Sequence, residues 1–270
     1  MTEINRICLI GFGEVGQILA EDLAAADVAA LSAWDIKFPD PRSVPSRAVL
    51  NSPVREGEDA ADAVAEADLV ISAVTAAQTL PAATGTVAGL KPGSCFLDMN
   101  SASPETKVAA AARVEAGGGY YVEAAVMSPF PSKRCATPVL LGGPHAATIM
   151  PLVQELGFDG VTVFSDRLGQ ASAAKMCRSV MVKGIEALLA ARHFDVEEIV
   201  LRSLDDLFPG PDWPKLSRYM LSRSVEHGER RAEEMREAAR TVQEAGVDPL
   251  MTAACAERQE WAARNESAFD

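Results

Sequence analysis

The sequence predicts an α/β protein: a parallel sheet covered by helices, followed by an all-helical region. Three observations carry this. Short apolar runs alternate with Ala-rich helical stretches through the first half, strand signals stop after about Ser165, and Gly169 to His193 reads as one long helix with a broad apolar face. Buried strands alternating with helices are what a parallel sheet produces, because each crossover lays a helix over one face. The expected domains are residues 1–165 and residues 166–270, the second beginning with the long helix.

In chain order, Ile7 to Ile10 is an apolar run ended by glycines, Val15 to Ala26 a helix, and Val28 to Trp34 a second run. A loop carrying Pro39, Pro41, Pro45 and Pro53 leads to a helical piece at Asp59 to Ala67. Leu69 to Val74, Cys95 to Met99 and Tyr120 to Val122 are further strands, and Val139 to Leu141 and Val161 to Phe164 close the sheet. On the long helix only Lys175, Arg178, Lys183, Glu186 and Arg192 are charged. Glu226 to Arg240 and Pro249 to Ala263 read as helices, punctuated by Pro-Gly-Pro at 209–211 and by Gly246.

A chain of 270 residues, 48% hydrophobic, buries enough surface to need no disulfide or metal staple. With 25 Lys+Arg against 38 Asp+Glu, a net charge of −13 and no basic run, it is not built to hold nucleic acid or an anionic membrane. Cys8, Cys95, Cys135, Cys177 and Cys255 are scattered, odd in number and without C-x-x-C, which predicts a reducing compartment and no zinc site. The start lacks the basic and long apolar regions of a signal peptide, and no window reaches the ~20 apolar residues of a membrane span. The expectation is a soluble cytoplasmic protein without a metal.

Gly11-Phe12-Gly13-Glu14-Val15-Gly16 is G-x-G-x-x-G between a strand and a helix. Its first glycine permits a tight turn, the second lets the backbone approach a pyrophosphate, and the third lets helix and strand pack closely. The helix's free N–H groups and positive dipole end then meet the phosphates, so an acidic protein can hold an anion without a basic patch. Asp35 follows Gly16 by nineteen residues, at the end of the second strand, where a carboxylate accepts both hydroxyls of an adenosine ribose. The first domain is therefore a Rossmann-type dinucleotide-binding domain. Its charge at Asp35 favours NAD, while Lys37 and Arg42 leave NADP open. Val74, Thr75 and Asn100 are further expected cofactor contacts.

Lys175 lies in the apolar start of the long helix, flanked by Ala173, Ala174 and Met176. Partial desolvation would lower its pKa toward the range useful for proton transfer. The alternative is a lysine whose stem packs on the helix while its ammonium reaches water.

Taken together, these residues resemble the β-hydroxyacid dehydrogenases, the superfamily of 3-hydroxyisobutyrate and 6-phosphogluconate dehydrogenases, over nearly the whole chain. The glycine turn is similar to the family's nucleotide loop. Asp98-Met99-Asn100-Ser101-Ala102-Ser103-Pro104 resembles its D-x-S-T-x-x-P segment. Glu123-Ala124-Ala125-Val126-Met127-Ser128-Pro129, with Leu141-Gly142-Gly143-Pro144 after it, resembles the substrate-loop motif D-A-P-V-S-G-G and its following V-G-G. Lys175, six residues after Gly169, stands where the family's catalytic lysine stands.

Departures concentrate in the substrate shell, which places the chain nearest a shorter, less characterised branch. Met127, Ser128 and Pro129 replace a serine and two glycines, Arg178 and Ser179 replace an asparagine pair, and Glu233, Glu234 and Met235 stand where Lys-Asp-Leu is usual.

The resemblance implies hydride transfer between nicotinamide and a small, anionic hydroxy acid, with Lys175 as general acid/base. It implies substrate contacts from Ser101, Met127, Ser128, Arg178 and Ser179, and the helical stretch around His227 and Arg231 suggests that one of these two completes the site from the helical domain. Bland alternatives stand beside these roles. Asn100 and Ser101 can cap the helix near Pro104, and Ser179 can bond back to a helix carbonyl. Lys133 and Arg134 can meet an anion or simply be solvated. His227 with Arg231, and Arg230 with Glu234, have the i, i+4 spacing of an exposed salt-bridged face. His145 reads as the start of a helix, and His193 as a charge near a helix end.

The rival readings are an imine reductase on the same architecture, whose members usually lack this lysine, and a non-catalytic dinucleotide sensor that binds a partner. About 105 residues are few for an independent helical core, so a homodimer is expected.

Overall fold

The computed structural model describes residues 4–26, 28–181, 190–244 and 248–265, with the side chains of 176–181, 230, 233–234 and 237–244 left aside. The chain divides into two compact units, one up to Met176 and the other from Cys177.

In the first unit the strands are β1 (Arg6–Ile10), β2 (Ala30–Trp34), β3 (Arg55–Glu56), β4 (Leu69–Ser72), β5 (Cys95–Asp98), β6 (Tyr120–Val126), β7 (Val139–Gly142) and β8 (Val161–Ser165). The helices among them are α1 (Glu14–Ala24), α2 (Val44–Val49), α3 (Ala60–Val64), α4 (Thr79–Thr86), α5 (Pro104–Ala116), α6 (Phe130–Lys133), α7 (Ala146–Glu155) and the beginning of α8 (Gln170–Met181). The strands form one sheet in the order β3-β2-β1-β4-β5-β6-β7-β8. β1 pairs with β2 on one side and β4 on the other. The helices that follow β1 and β4 therefore leave in different directions, and a crevice opens at the carboxyl ends of these strands.

Strand alternation sorts the core into two layers. Ile7 and Leu9 of β1 join Leu19, Leu31, Ile71 and Leu97 on one face. Cys8 and Ile10 join Val64, Val70, Phe96 and Tyr121 on the other. Both layers are apolar because helices cover both faces, which is why the strands read as continuous apolar runs.

Two features of the sheet differ from the sequence expectation. β6 and β7 are antiparallel, whereas β7 and β8 are parallel to each other. Between β6 and β7 lie twelve residues holding only the four-residue α6 and one 3₁₀ turn, too little helix to carry the chain back for a parallel strand. β3 is two exposed residues, Arg55 and Glu56, and carries no apolar signal to read.

In the second unit, α9 (Glu197–Leu207), α10 (Trp213–Glu244) and α11 (Leu250–Arg264) are helical as expected. The long helix is described over α8 and again at 190–193; residues 182–189 and Gly246 lie outside the described residues. α10 bends at His227, with φ −131° and ψ 16°. At the next residue, Gly228, a Cβ would lie 2.3 Å from the Gln259 carbonyl oxygen, so the missing side chain lets α10 and α11 touch backbone to backbone. Among the described residues no helix is long and apolar enough to cross a membrane.

Candidate functional site

The three glycines of the turn differ in their surroundings. Gly11 has φ 96°, a left-handed conformation that side chains resist, and a Cβ there would lie 2.5 Å from the Ala73 carbonyl oxygen. At Gly16 a Cβ would lie 2.1 Å from the Gly11 carbonyl oxygen, so α1 starts pressed onto the turn. At Gly13 nothing stands within 4 Å of that position. Gly13 also caps α1 without a side-chain hydrogen bond, leaving first-turn N–H groups and the positive helix end facing open space. Of the intervening residues, Glu14 is exposed and Val15 packs on the core. Phe12 is buried, its ring 6.0 Å from that of Phe38.

A cavity of about 450 Å³ occupies the crevice, walled by Gly11, Gly13, Asp35, Val74, Thr75 and Gln78 among others. That volume suits one portion of a dinucleotide. Asp35 stands in its wall with both oxygens fixed by backbone: one accepts Phe12 N–H at 2.7 Å, the other Lys37 N–H at 2.8 Å. Each oxygen keeps one acceptor direction, enough for two ribose hydroxyls. The same carboxylate thus shapes the glycine turn and stands in the cavity wall. Asp35→Ala is expected to weaken NADH binding about tenfold and NADPH binding less, shrinking the ratio measured by fluorescence titration. Unchanged relative affinities would remove the ribose contact from the account. Lys37 and Arg42 are exposed, and Arg42 pairs with Asp40 at 3.5 Å.

Asn100 is buried and its polar atoms are committed to the protein. Its Oδ1 accepts Val74 N–H at 2.6 Å, its Nδ2 donates to Ser72 Oγ at 2.9 Å, and its own N–H donates to Asp98 Oδ1 at 2.9 Å. It latches the ends of β4 and β5 together and shapes the cavity wall through Val74. Neither Asn100 nor Ser101 caps α5; Ser103 does, accepting Thr106 N–H, with Pro104 as the first helical residue. Ser101 is exposed at the strand end.

Sequence reasoning missed what lies beneath. Asp98 is fully buried, with Lys107 Nζ 2.7 Å from Oδ1 and the Tyr121 hydroxyl donating to Oδ2. Lys107 Nζ also donates to the Asp98 carbonyl at 3.0 Å. Burial and the Asp98 charge push the Tyr121 phenol well above its usual range. The signal was a charge pattern: Asp98 and Glu123 sit in otherwise apolar strands, and the register places them side by side.

In the substrate-loop region Met127 is buried and donates its N–H to the Pro138 carbonyl at 2.8 Å. Ser128 is half-buried, and its hydroxyl has no hydrogen-bond partner among the described residues. Lys133 is exposed, whereas Arg134, partly exposed, is engaged within the protein: it pairs with Asp22 at 2.6 Å and Glu21 at 3.0 Å on α1. Those two carboxylates raise its pKa further. Its role is to tie the loop after β6 to α1.

Lys175 is half-buried on α8, next to the buried Ala171, Ser172, Ala173 and Ala174. Arg178 and Ser179 lie on the helical backbone of α8, but their side chains fall outside the described residues. His227 and Arg231 belong to the second unit, both half-buried. The His227 ring meets Arg223, with Nε2 and Nη1 2.6 Å apart, rather than the Arg231 of the expected i, i+4 pair. Arg230 and Glu234 are outside the described side chains. His145 precedes α7 and its ring lies 4.6 Å from that of Tyr120. His193 stacks edge-on against Phe194.

Among the described residues no cluster of His, Cys, Asp or Glu could hold a metal ion. Cys8, Cys95, Cys135 and Cys255 are free, and burial pushes the Cys8 thiol up to about 12.

Comparison with known families matches residues 6–158 to the NAD binding domain of 6-phosphogluconate dehydrogenase and residues 191–262 to a domain of unknown function, DUF1932. No curated protein matches the sequence. Among solved structures, a conserved hypothetical protein from Sinorhizobium meliloti 1021 is 36% identical over 97% of this chain and 90% of its own, with a TM-score of 0.63. A conserved protein of unknown function, described as structurally similar to 3-hydroxyacid dehydrogenases, is 30% identical over 98% of this chain and 99% of its own, with a TM-score of 0.59. An imine reductase from Myxococcus stipitatus in complex with NADP+ is 15% identical over 96% of this chain and 94% of its own, with a TM-score of 0.63, and shares the fold.

Proposed function

The chain belongs to the β-hydroxyacid dehydrogenase superfamily and carries its nicotinamide dinucleotide-binding domain, and from that premise we propose that it oxidises or reduces a small, anionic hydroxy acid with NAD as the preferred cofactor. The observation that carries the reading is the glycine turn, open only at Gly13, beside a cavity walled by Asp35. The nicotinamide supplies the hydride acceptor or donor. Glu14, Val15 and their neighbours at the start of α1 hold the pyrophosphate by backbone, and Asp35 holds the ribose. Val74, Thr75 and Ser101 line the way to the reacting end, with Asn100 positioning Val74. Lys175 takes the hydroxyl proton in oxidation and returns one to the carbonyl in reduction, so both of its protonation states must be reached near working pH.

In a chain of net charge −13, anions are received by local positive potential. We assign this to the α1 start, Lys175, and Arg178 with Arg231. Met127, Ser128 and Ser179 are the substrate contacts in this reading. The orphaned Ser128 hydroxyl suits a residue that waits for a ligand. Residues 1–165 take the cofactor in this reading, and 166–270 take substrate and a second copy of the chain. Exposed Phe208, Tyr219, Leu250 and Met251 support the dimer, which light scattering reads directly.

A nicotinamide absorbance assay with a panel of hydroxy acids, keto acids and cyclic imines tests the whole reading. Turnover of hydroxy acids is expected. Turnover of imines alone would move the assignment to imine reduction, the second reading that the shared fold supports. Saturable cofactor binding without turnover on any member would leave a dinucleotide sensor.

A further inference from the structure

We infer that Glu123 is a positioning residue for Lys175: its buried carboxylate reaches from β6, through the space left by Gly142, to the first N–H groups of α8, and so fixes the helix that presents the lysine. The inference rests on the acid/base reading of Lys175 given above.

Glu123 is the one charged residue of β6, Tyr-Tyr-Val-Glu-Ala-Ala-Val, and it is fully buried. A carboxylate is kept in such a place only by donors aimed at it. One oxygen accepts Ala171 N–H at 3.0 Å and the other accepts Ser172 N–H at 3.4 Å. With both oxygens accepting from N–H groups, the ionised form fits the geometry, and it sits at the end of α8 where the helix dipole favours negative charge. Gly169, at φ 90°, turns the chain sharply into the helix, and Ser172 Oγ closes the turn by donating to the Gly169 carbonyl at 3.0 Å.

Gly142 explains itself in this arrangement. It faces Glu123 across the antiparallel ladder, and a Cβ on it would lie 2.4 Å from the carboxylate oxygen. The acid of the substrate-loop segment and the last glycine of β7, nineteen residues apart in number but opposite in space, form one device. Lys175 is four residues after Ala171, thus on the same helix face and about 6 Å further along the axis. A shift at Ala171 is therefore carried to Lys175 by a rigid turn of helix.

The carboxylate also contributes negative potential at that turn. Burial raises the Glu123 pKa, opposed by the Ala171 and Ser172 donors and by Lys107 of α5. The other titratable groups facing it are Asp98 of β5, its ladder partner, and Tyr121 of β6. Removing the charge withdraws support from the Lys175 ammonium, so the lysine pKa falls.

Glu123→Gln and Gly142→Ala test this on the intact protein. Lys175 is titrated by its rate of acetylation with acetic anhydride across pH, read by peptide mass spectrometry; amide exchange at 171–175 and kcat against NADH affinity are measured alongside. Glu123→Gln is expected to move the Lys175 titration down by about one pH unit, as removal of a charge within about 10 Å does in partly screened protein. It should speed exchange at Ala171 and Ser172 and lower kcat at least tenfold, with NADH affinity within about twofold. Gly142→Ala keeps the charge but displaces it, so it should reproduce the exchange and kcat effects and add little to Glu123→Gln in the double variant. Unchanged Lys175 titration and unchanged exchange in a folded Glu123→Gln protein would overturn the inference. If that variant fails to fold, unchanged exchange and kcat in Gly142→Ala would do the same. Full turnover in Lys175→Ala would instead overturn the acid/base reading, while the titration and exchange results on Glu123 would stand apart from it.

Discussion

Lys175→Ala is expected to bind NADH as the unaltered protein does and to lose turnover by about 10²–10⁴-fold, the usual range for removing a positioned acid or base. The two halves of that result come from different parts of the first unit. In the proposed reading, cofactor binding draws on Gly13, Asp35 and the cavity between β1 and β4, all formed before residue 101. Proton transfer, in the same reading, draws on the one side chain of Lys175 on α8. Lys175 is half-buried among small buried residues, which leaves it enough exposure to meet a substrate. Steady-state rates on whichever panel member turns over, with fluorescence titration for NADH, check both halves. Near-normal turnover in the variant would end the proposed mechanism, and lost NADH binding would show that the lysine serves the cofactor instead.

The second large effect falls on stability. Lys107→Met is expected to cost roughly 3–5 kcal/mol, because it strands the charge of a fully buried Asp98. Asp98 would keep only the Tyr121 hydroxyl and the Asn100 N–H as donors. Adding Asp98→Asn to that variant removes the stranded charge and should recover part of the loss. Denaturant unfolding of the three variants measures this, and an unchanged midpoint for Lys107→Met would refute it. The loss should also reach the cofactor: Asp98 holds Asn100, and Asn100 holds Val74 in the cavity wall.

Much of the candidate site was legible from spacing. The turn from Gly11 to Gly16, Asp35 at the end of β2, and Lys175 near the start of a helix all fall where local patterns put them. The illegible parts are contacts between distant segments. Arg134 reads as a loop cation, yet its partners Asp22 and Glu21 lie more than a hundred residues earlier. Asn100 reads as a ligand contact or a helix cap, yet its side chain bonds Ser72 at the end of β4 and Val74 just beyond it. Lys107 sits in a helix where a charge ordinarily faces water, and only the strand beneath supplies Asp98.

By itself, then, the sequence determined the local geometry: where strands alternate with helices, where a backbone must turn on glycine, and which carboxylate follows the nucleotide turn at ribose distance. These depend on residues a few positions apart, whose φ/ψ limits and side-chain periods are written in the chain. The tertiary structure alone decided that β7 runs backwards, that Asp98 and Glu123 stand side by side, and that Gly142 makes room for a carboxylate. Burying a charge is tolerable only where its partner arrives from another element, and which element arrives is set by sheet order and register.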